Sequence, residues 1–359
     1  MTTSRRDVLG RAAGAIAGIG LAGCGFMRAA AAQGVPHRRE VAIGGKRIRT
    51  VDLHAHCHIP EATALMGVKE TFPKLILGPD RTKVMDEQGI DIEALSVNPN
   101  FWDAADRDQS AAVIKLQNEK LAEFCAKTPD RFVALASVSL AYPDLAAEEL
   151  ETAVKTLGMR GAIIGGSVNG MELSDPKLHP FWAKAEQLGT LIFIHPQSGT
   201  ELEKSGRLKG SGGLYNTIGN PVETAIALSH LILEGTLDKY PGLKICAAHA
   251  GGYLPSYSGR TDAMCANRPD QCRVALKRKP SEYLRGGQLY FDSMVFTQEG
   301  LRHLIAEVGA GQIVIGTDYP FPWTKTAVDD ILHQPGIGDD DRIAMLGGTA
   351  AKLLGIKEA

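Results

Sequence analysis

Val51-Asp52-Leu53-His54-Ala55-His56 is the stretch from which the fold is read. An apolar, β-prone run over Arg49–His54 ends in two histidines one residue apart. Residues two apart on a strand project from the same face, so His54 and His56 can reach one ion together. Working outward, similar runs recur at Ile92–Asn98, Phe132–Leu140, Gly161–Gly166 and Leu191–His195, then at Lys244–His249, Leu289–Ser293 and Ile313–Thr317. They are apolar nearly throughout instead of alternating, as expected for parallel strands covered on both faces. Helix-like segments separate them, including Ala111–Lys127, Asp144–Leu157, His179–Leu188, Pro221–Glu234 and Thr297–Val308. Pro143-Asp144 and Ser174-Asp175-Pro176 carry helix-start chemistry, and Gly158 and Gly189 read as stops.

Strand and helix repeated eight times predict an α/β fold of the (β/α)8 TIM-barrel type, one domain over residues 49–359. No Gly-rich dinucleotide loop follows the first strand, which argues against a doubly wound open sheet. Two connections are long: an insertion from Ile59 to Lys83 after the first strand, and Gln197 to Asn220 after the fifth. The second, rich in Gly, Ser and Lys, reads as a lid over a substrate pocket.

The chemistry-bearing residues share one end of this pattern. His54 and His56 close the first strand, His195 the fifth, His249 the sixth and Asp318 the eighth. These are C-terminal strand ends, where barrel active sites are built. Buried imidazoles and a carboxylate need partners, and a divalent ion supplies one to several at once. Three further residues are candidates for the pocket. His58 extends the period-two series, either lining the pocket or supporting a ligand. Phe101-Trp102 follows the second strand, with Trp102 either walling an aromatic pocket or packing in the core. Asp292 ends the seventh strand, either beneath the ligands or capping the next helix.

The 39 basic and 41 acidic residues leave a formal charge of −2, which offers no electrostatic reason to expect a nucleic-acid or anionic-membrane partner. Ser4-Arg5-Arg6-Asp7-Val8-Leu9, followed by the small, apolar stretch Ala12 to Gly23, reads as a twin-arginine export signal over residues 1–32, with a linker over 33–48. Two processing routes stand open: cleavage after Ala32, or lipidation of Cys24 in the lipobox-like Leu21-Ala22-Gly23-Cys24. The expected location is periplasmic, soluble or lipid-anchored. Cys57 and Cys246 lie in apolar runs as buried thiols. Cys265 and Cys272, in a polar segment, are either free or joined in a disulfide.

The ordered set Asp52-Leu53-His54-Ala55-His56, Met85-Asp86-Glu87-Gln88-Gly89-Ile90, Ile194-His195-Pro196, Gly219-Asn220-Pro221-Val222-Glu223-Thr224, Ala248-His249-Ala250-Gly251-Gly252 and Gly316-Thr317-Asp318-Tyr319-Pro320-Phe321 resembles the amidohydrolase superfamily, in the branch of aminocarboxymuconate-semialdehyde decarboxylase. The resemblance implies that His54, His56, His195 and Asp318 hold one divalent ion, zinc or else manganese, and that His249 moves protons beside it. It implies a homodimer in which Arg260 binds the substrate carboxylate, with Arg268 a second candidate. Gly165-Gly166-Ser167 stands where a bridging lysine would end the fourth strand, so one metal is expected rather than two. The branch's first-loop arginine has no match in motif; Lys74 and Arg81 lie in that region.

The expected activity is decarboxylation of a small aromatic or conjugated carboxylic acid, with His249 and Asp318 as catalytic groups. The rival is hydrolysis of a lactone, ester or amide, or hydration of a double bond, by the same metal site. A non-catalytic metal-binding lipoprotein is a third reading.

Overall fold

The computed structural model describes residues 38–69, 72–98, 101–197 and 201–357. The export signal, Cys24 and Ala32 lie outside them. Among the described residues, eight strands form one parallel sheet: β1 Val51–Cys57, β2 Ile92–Val97, β3 Phe132–Ala134, β4 Gly161–Ile164, β5 Leu191–Ile194, β6 Lys244–Ala247, β7 Leu289–Asp292 and β8 Ile313–Tyr319. Their order is β3-β2-β1-β8-β7-β6-β5-β4. The ring closes where Ala136, just past β3, bridges Ala162 of β4, with Ala136 N–H to Gly161 O and Ile163 N–H to Ala136 O both at 2.8 Å. Each strand is followed by a helix: α1 Asp80–Gln88, α2 Arg107–Lys127, α3 Pro143–Lys155, α4 His179–Leu188, α5 Asn220–Leu233, α6 Leu254–Asn267, α7 Gln298–Val308 and α8 Thr349–Leu354. This is the barrel expected from the sequence.

The helices start and stop for local reasons. Asp106 caps α2 by accepting Gln109 N–H at 2.9 Å, and Thr297 caps α7 by accepting Gly300 N–H at 3.0 Å. Such caps contribute about 1 kcal/mol each. On α7, Leu301, Leu304 and Val308 are buried at helical spacing, which turns one face onto the sheet.

Two apolar clusters result from the period-two alternation of the strands. Leu191 and Phe193 of β5 point into the barrel with Val51, Leu53, Ile163, Cys246 and Val314. Ile192 and Ile194 join the larger layer between strands and helices. Ala350, Leu353 and Leu354 of α8 join the inner cluster, and Arg49, at the entry to β1, donates to Lys357 O at 2.7 Å.

Three features differ from expectation. Residues 38–48, expected to form part of a linker, make an antiparallel hairpin, Val41–Ile43 against Lys46–Ile48. Val41 and Ile43 bury their side chains, and Arg39 pairs with Asp329, so the segment belongs to the barrel. The first long loop is partly ordered as a short helix, Pro60–Leu65. The segment after β5, expected as a lid, carries a turn of helix at Glu201–Lys204 and a π-helical turn at Tyr215–Gly219 that leads into α5. Cys265 and Cys272 are joined in a disulfide, with Cα atoms 5.3 Å apart, and Cys57 and Cys246 are buried free thiols.

Candidate metal centre

Four strand ends bring the ligands and His249 to the barrel mouth. On β5 the inward series Leu191, Phe193 continues to His195, whereas on β8 the pairing with β1 is irregular around Gly316 and Asp318 is aimed by its own left-handed backbone, with φ of 57°. On β1 the inward residues Val51 and Leu53 are out of phase with His54 and His56. An irregular register between Asp52 and Ala55 in the pairing of β1 with β2 shifts the phase, so Ala55 and Cys57 join the outer layer and the two histidines turn inward. His249, two residues past β6, is re-aimed by a left-handed backbone: His249, Ala250, Gly251 and Gly252 have φ of 54°, 56°, 73° and 64°. Gly252 is obligatory there, because a Cβ would lie 1.9 Å from Pro221 O.

His54, His56, His195 and Asp318 converge with all four ligand atoms within 4.8 Å of one another, and all four side chains are buried. The hydrogen bonds settle which nitrogens face the centre. His54 Nδ1–H donates to Asp292 Oδ2 at 2.6 Å, and His195 Nδ1–H donates to Pro196 O at 2.7 Å. Ser96 commits its hydroxyl proton to Ala55 O, so its oxygen accepts from His56 Nδ1–H at 3.0 Å. Each ring therefore commits its Nδ1 outward and turns its Nε2 toward the centre. His54 Nε2 and His56 Nε2 lie 2.9 Å apart, and Asp318 Oδ1 stands 3.3 and 3.0 Å from them. His195 Nε2 and Asp318 Oδ1 are buried without a hydrogen-bond partner. Three lone pairs and a carboxylate facing one point repel unless a cation lies between them. The donor set fits one divalent ion.

The electrostatics agree. Burial opposes charge on His54, but Asp318 and Asp292 outweigh it and raise it to about 10. Burial also pushes Asp318 up, yet the surrounding histidines, His54 foremost, hold it well below the usual carboxylate range. Burial lowers His56 to about 4. The centre thus favours one added positive charge.

His249 borders this cluster. Its ring lies 5.3 Å from that of His54 and 5.2 Å from that of His195, and its Nε2 is 4.0 Å from Asp318 Oδ2. Phe321 approaches His56 edge-on at 6.2 Å and stacks on Phe72 at 5.1 Å, which supplies an aromatic wall beside the ligands. At β4, a Cβ on Gly165 would meet Gln197 at 2.9 Å or closer, and one on Gly166 would meet Glu223 at 2.8 Å. No bridging lysine could stand there without displacing them.

Other candidates lie elsewhere. His58 bonds Thr63 Oγ1 at 3.1 Å and stands outside the convergent set. Trp102 donates its indole N–H to Gln117 of α2 at 3.0 Å, while Phe101 joins the inner cluster. Arg81 is buried, bonded to Glu93 at 2.5 Å and to His56 O at 2.8 Å, so it braces β1 and β2. Lys74 is exposed. Arg260, on α6, is exposed and unpaired among the described residues, and Arg268 faces Asp270 at 3.5 Å. The sequence reading missed Ser96 and Glu93, although both are polar residues inside an apolar run and so required partners.

The amidohydrolase family pattern matches residues 51–356. The chain belongs to the amidohydrolase family. This amidohydrolase is 32% identical over 281 residues to the 2-amino-3-carboxymuconate-6-semialdehyde decarboxylase of Dictyostelium discoideum, with 77% of each chain covered. It is 33% identical over 283 residues to the gamma-resorcylate decarboxylase of Rhizobium sp. (strain MTP-10005), covering 76% of this chain and 85% of the relative. It also resembles the crystal structure of a dihydroxybenzoic acid decarboxylase from Polaromonas sp. JS666 with bound manganese and the inhibitor 2-nitroresorcinol. That match has a TM-score of 0.76 and 29% identity, and covers 87% of this chain and 98% of that one.

Proposed function

We propose that this amidohydrolase removes the carboxyl group of a small aromatic or conjugated carboxylic acid, as a metal-dependent carbon–carbon lyase. The observation that carries this reading is His249 set beside four buried, convergent ligands, in a chain whose relatives are decarboxylases. A divalent ion at the centre would supply a fixed positive charge that orients substrate oxygens and steadies negative charge developing on them. His249 delivers a proton to the carbon that bears the carboxylate. The carbon–carbon bond then breaks, carbon dioxide leaves, and the bonding pair returns to the ring or conjugated system. Asp318 Oδ2, 4.0 Å from His249 Nε2, sets a negative charge beside the ring that delivers the proton, and Phe321 offers a face to the substrate ring.

The finer assignments belong to the same proposal. Three imidazoles and a carboxylate suit zinc, and imidazole and carboxylate donors also serve manganese, which the Polaromonas relative holds. Arg260 pairs with the substrate carboxylate of a second copy; Tyr253, Tyr257 and Met264 are exposed on and beside the same helix, as a homodimer contact would need. The segment Gln197 to Asn220 serves as the lid. Export follows the twin-arginine route to the periplasm, ending in cleavage after Ala32 or lipidation at Cys24; the mass of the mature N-terminus distinguishes them.

The test is incubation of metal-reconstituted protein with dihydroxybenzoates, related conjugated acids, lactones, esters and amides, followed by mass spectrometry. Metal-dependent loss of carbon dioxide from an acid, abolished in His249→Ala with the metal retained, is the expected result. Gain of water by a lactone, ester, amide or alkene, with no acid decarboxylated, would overturn the proposal.

A further inference from the structure

Asp292, at the end of β7, is fully buried and accepts four hydrogen bonds. Oδ2 takes His54 Nδ1–H at 2.6 Å and His249 N–H at 2.8 Å. Oδ1 takes Ala250 N–H at 2.8 Å and Met294 N–H at 3.1 Å. One carboxylate thus touches a metal ligand and two backbone amides of the left-handed turn that aims His249. That turn is costly in itself, because His249 and Ala250 both carry a Cβ at positive φ. Something must hold it, and the paired amides directed at Asp292 do so.

The packing around the carboxylate is equally specific. A Cβ on Gly316 of β8 would lie 2.7 Å from the Asp292 Cβ and 3.1 Å from the His54 Cβ. The missing side chain at Gly316 is what lets β7 and β1 bring the carboxylate and the imidazole into contact across β8. Asp292 also lies in phase with the inward face of its strand, since Tyr290 packs on the inner cluster while Leu289 and Phe291 belong to the outer layer.

We infer that Asp292 is the positioning residue that couples the two halves of the site: it sets the Nδ1–H tautomer of His54, and it locks the turn that points His249 at the same centre. Metal affinity and proton delivery then depend on one side chain that touches neither metal nor substrate. The inference rests on the metal-site and His249 roles proposed above, but its primary readouts need no substrate.

Two variants of the full chain, Asp292→Asn and Gly316→Ala, would be purified, stripped of metal and titrated with manganese, whose binding is followed by electron paramagnetic resonance. Hydrogen exchange of the peptide over residues 246–253 would be measured in parallel. Asn keeps the size of the side chain but replaces one acceptor oxygen by a donor. Loss of a partner that orients a ligating histidine weakens metal binding by about 10- to 100-fold. The expected result is a weakening of that order in both variants, together with faster exchange at His249 and Ala250. If an acid substrate is known, turnover at saturating manganese should stay depressed, since extra metal cannot re-aim His249. Manganese affinity within about threefold of wild type in folded Asp292→Asn would overturn the inference; so would wild-type exchange at the turn, or full recovery of turnover at saturating metal. Should Asp292→Asn fail to fold, Gly316→Ala reads the same joint from the other side, with the same criteria. Failure to find any decarboxylated acid would count against the proposed function and leave these two readouts standing.

Discussion

The two ends of the barrel handle buried charge in opposite ways. At the N-terminal strand ends, Asp91 is buried and fully engaged: Thr50 N–H reaches Oδ2 at 2.9 Å, and Arg38 and Arg47 meet Oδ1 at 2.6 and 2.8 Å. Arg131 donates to the Asp91 carbonyl at 2.9 Å and pairs with Asp86 at 2.8 Å. Every charge there has a protein partner, and the hairpin over Val41–Ile48 is tied down by the result. At the C-terminal ends, three imidazole nitrogens and a carboxylate oxygen point at one another, and His195 Nε2 is buried with no hydrogen-bond partner. Mutual satisfaction marks a structural network; convergent dissatisfaction marks a place built for something else. Buried polar groups by themselves would not have separated the two.

If this contrast holds, substitutions at the two ends should fail differently. The largest effect is expected at Asp318→Asn, which removes the only carboxylate from the ligand set. Activity should fall more than about a thousandfold, with metal lost on dialysis and measured by elemental analysis; a variant that keeps both metal and turnover breaks the comparison. Next is His249→Ala, expected to retain one equivalent of metal while turnover drops about a hundred- to ten-thousandfold. Loss of metal in that variant would place His249 among the ligands instead. At the other end, Asp91→Ala should leave turnover per folded molecule unchanged and destabilise the protein by about 2–4 kcal/mol. Chemical denaturation reads that change, and an intact midpoint would show that the lower network is ornamental.

The smallest effect sharpens the comparison through pH. Glu149 of α3 bonds neither the ligand set nor the Asp91 network, accepting Ser139 N–H at 2.6 Å and the Ser139 hydroxyl at 2.9 Å. Burial pushes it from 4.5 up to about 7, against those two bonds. Between these values the folded state binds more protons than the unfolded one, so this group lowers stability as pH rises and its effect levels off above about 7. Relative to Glu149→Gln, wild type should therefore lose up to about 3 kcal/mol between about pH 4 and 8. Parallel stability profiles for the two proteins would contradict that sign.

Much of this was legible in the residues, and the remainder shows what periodicity omits. The eight apolar runs located all eight strands, and His195 followed from inward phase on β5; Asp318 was found by its place at the end of β8, while the left-handed φ that aims it appears only in the fold. The period-two argument correctly put His54 and His56 on one face, but the irregular pairing near Asp52 decides that this face is the inner one. No propensity scale announces such a bulge. Ala248-His249-Ala250-Gly251-Gly252 announced a turn through its glycines, although the left-handed φ of His249 itself appears only in the fold. Asp292 was visible as a polar end to an apolar strand, with its bonds hidden because three of the four donors come from two distant segments, β1 and the turn after β6. Arg81 and Trp102 mark the reverse case: functional-looking side chains near the right loops that the fold spends on Glu93 and Gln117. The hairpin at residues 38–48 escaped because each of its strands has only three residues, too few for a pattern.

The most direct test of the central claim is a metal titration of the stripped protein, with bound zinc or manganese counted per chain in wild type and in Asp318→Asn. One tightly held equivalent per chain in wild type, lost in the variant, is the predicted result. Two equivalents, no saturable binding, or undiminished binding in Asp318→Asn would contradict a single ion held by His54, His56, His195 and Asp318.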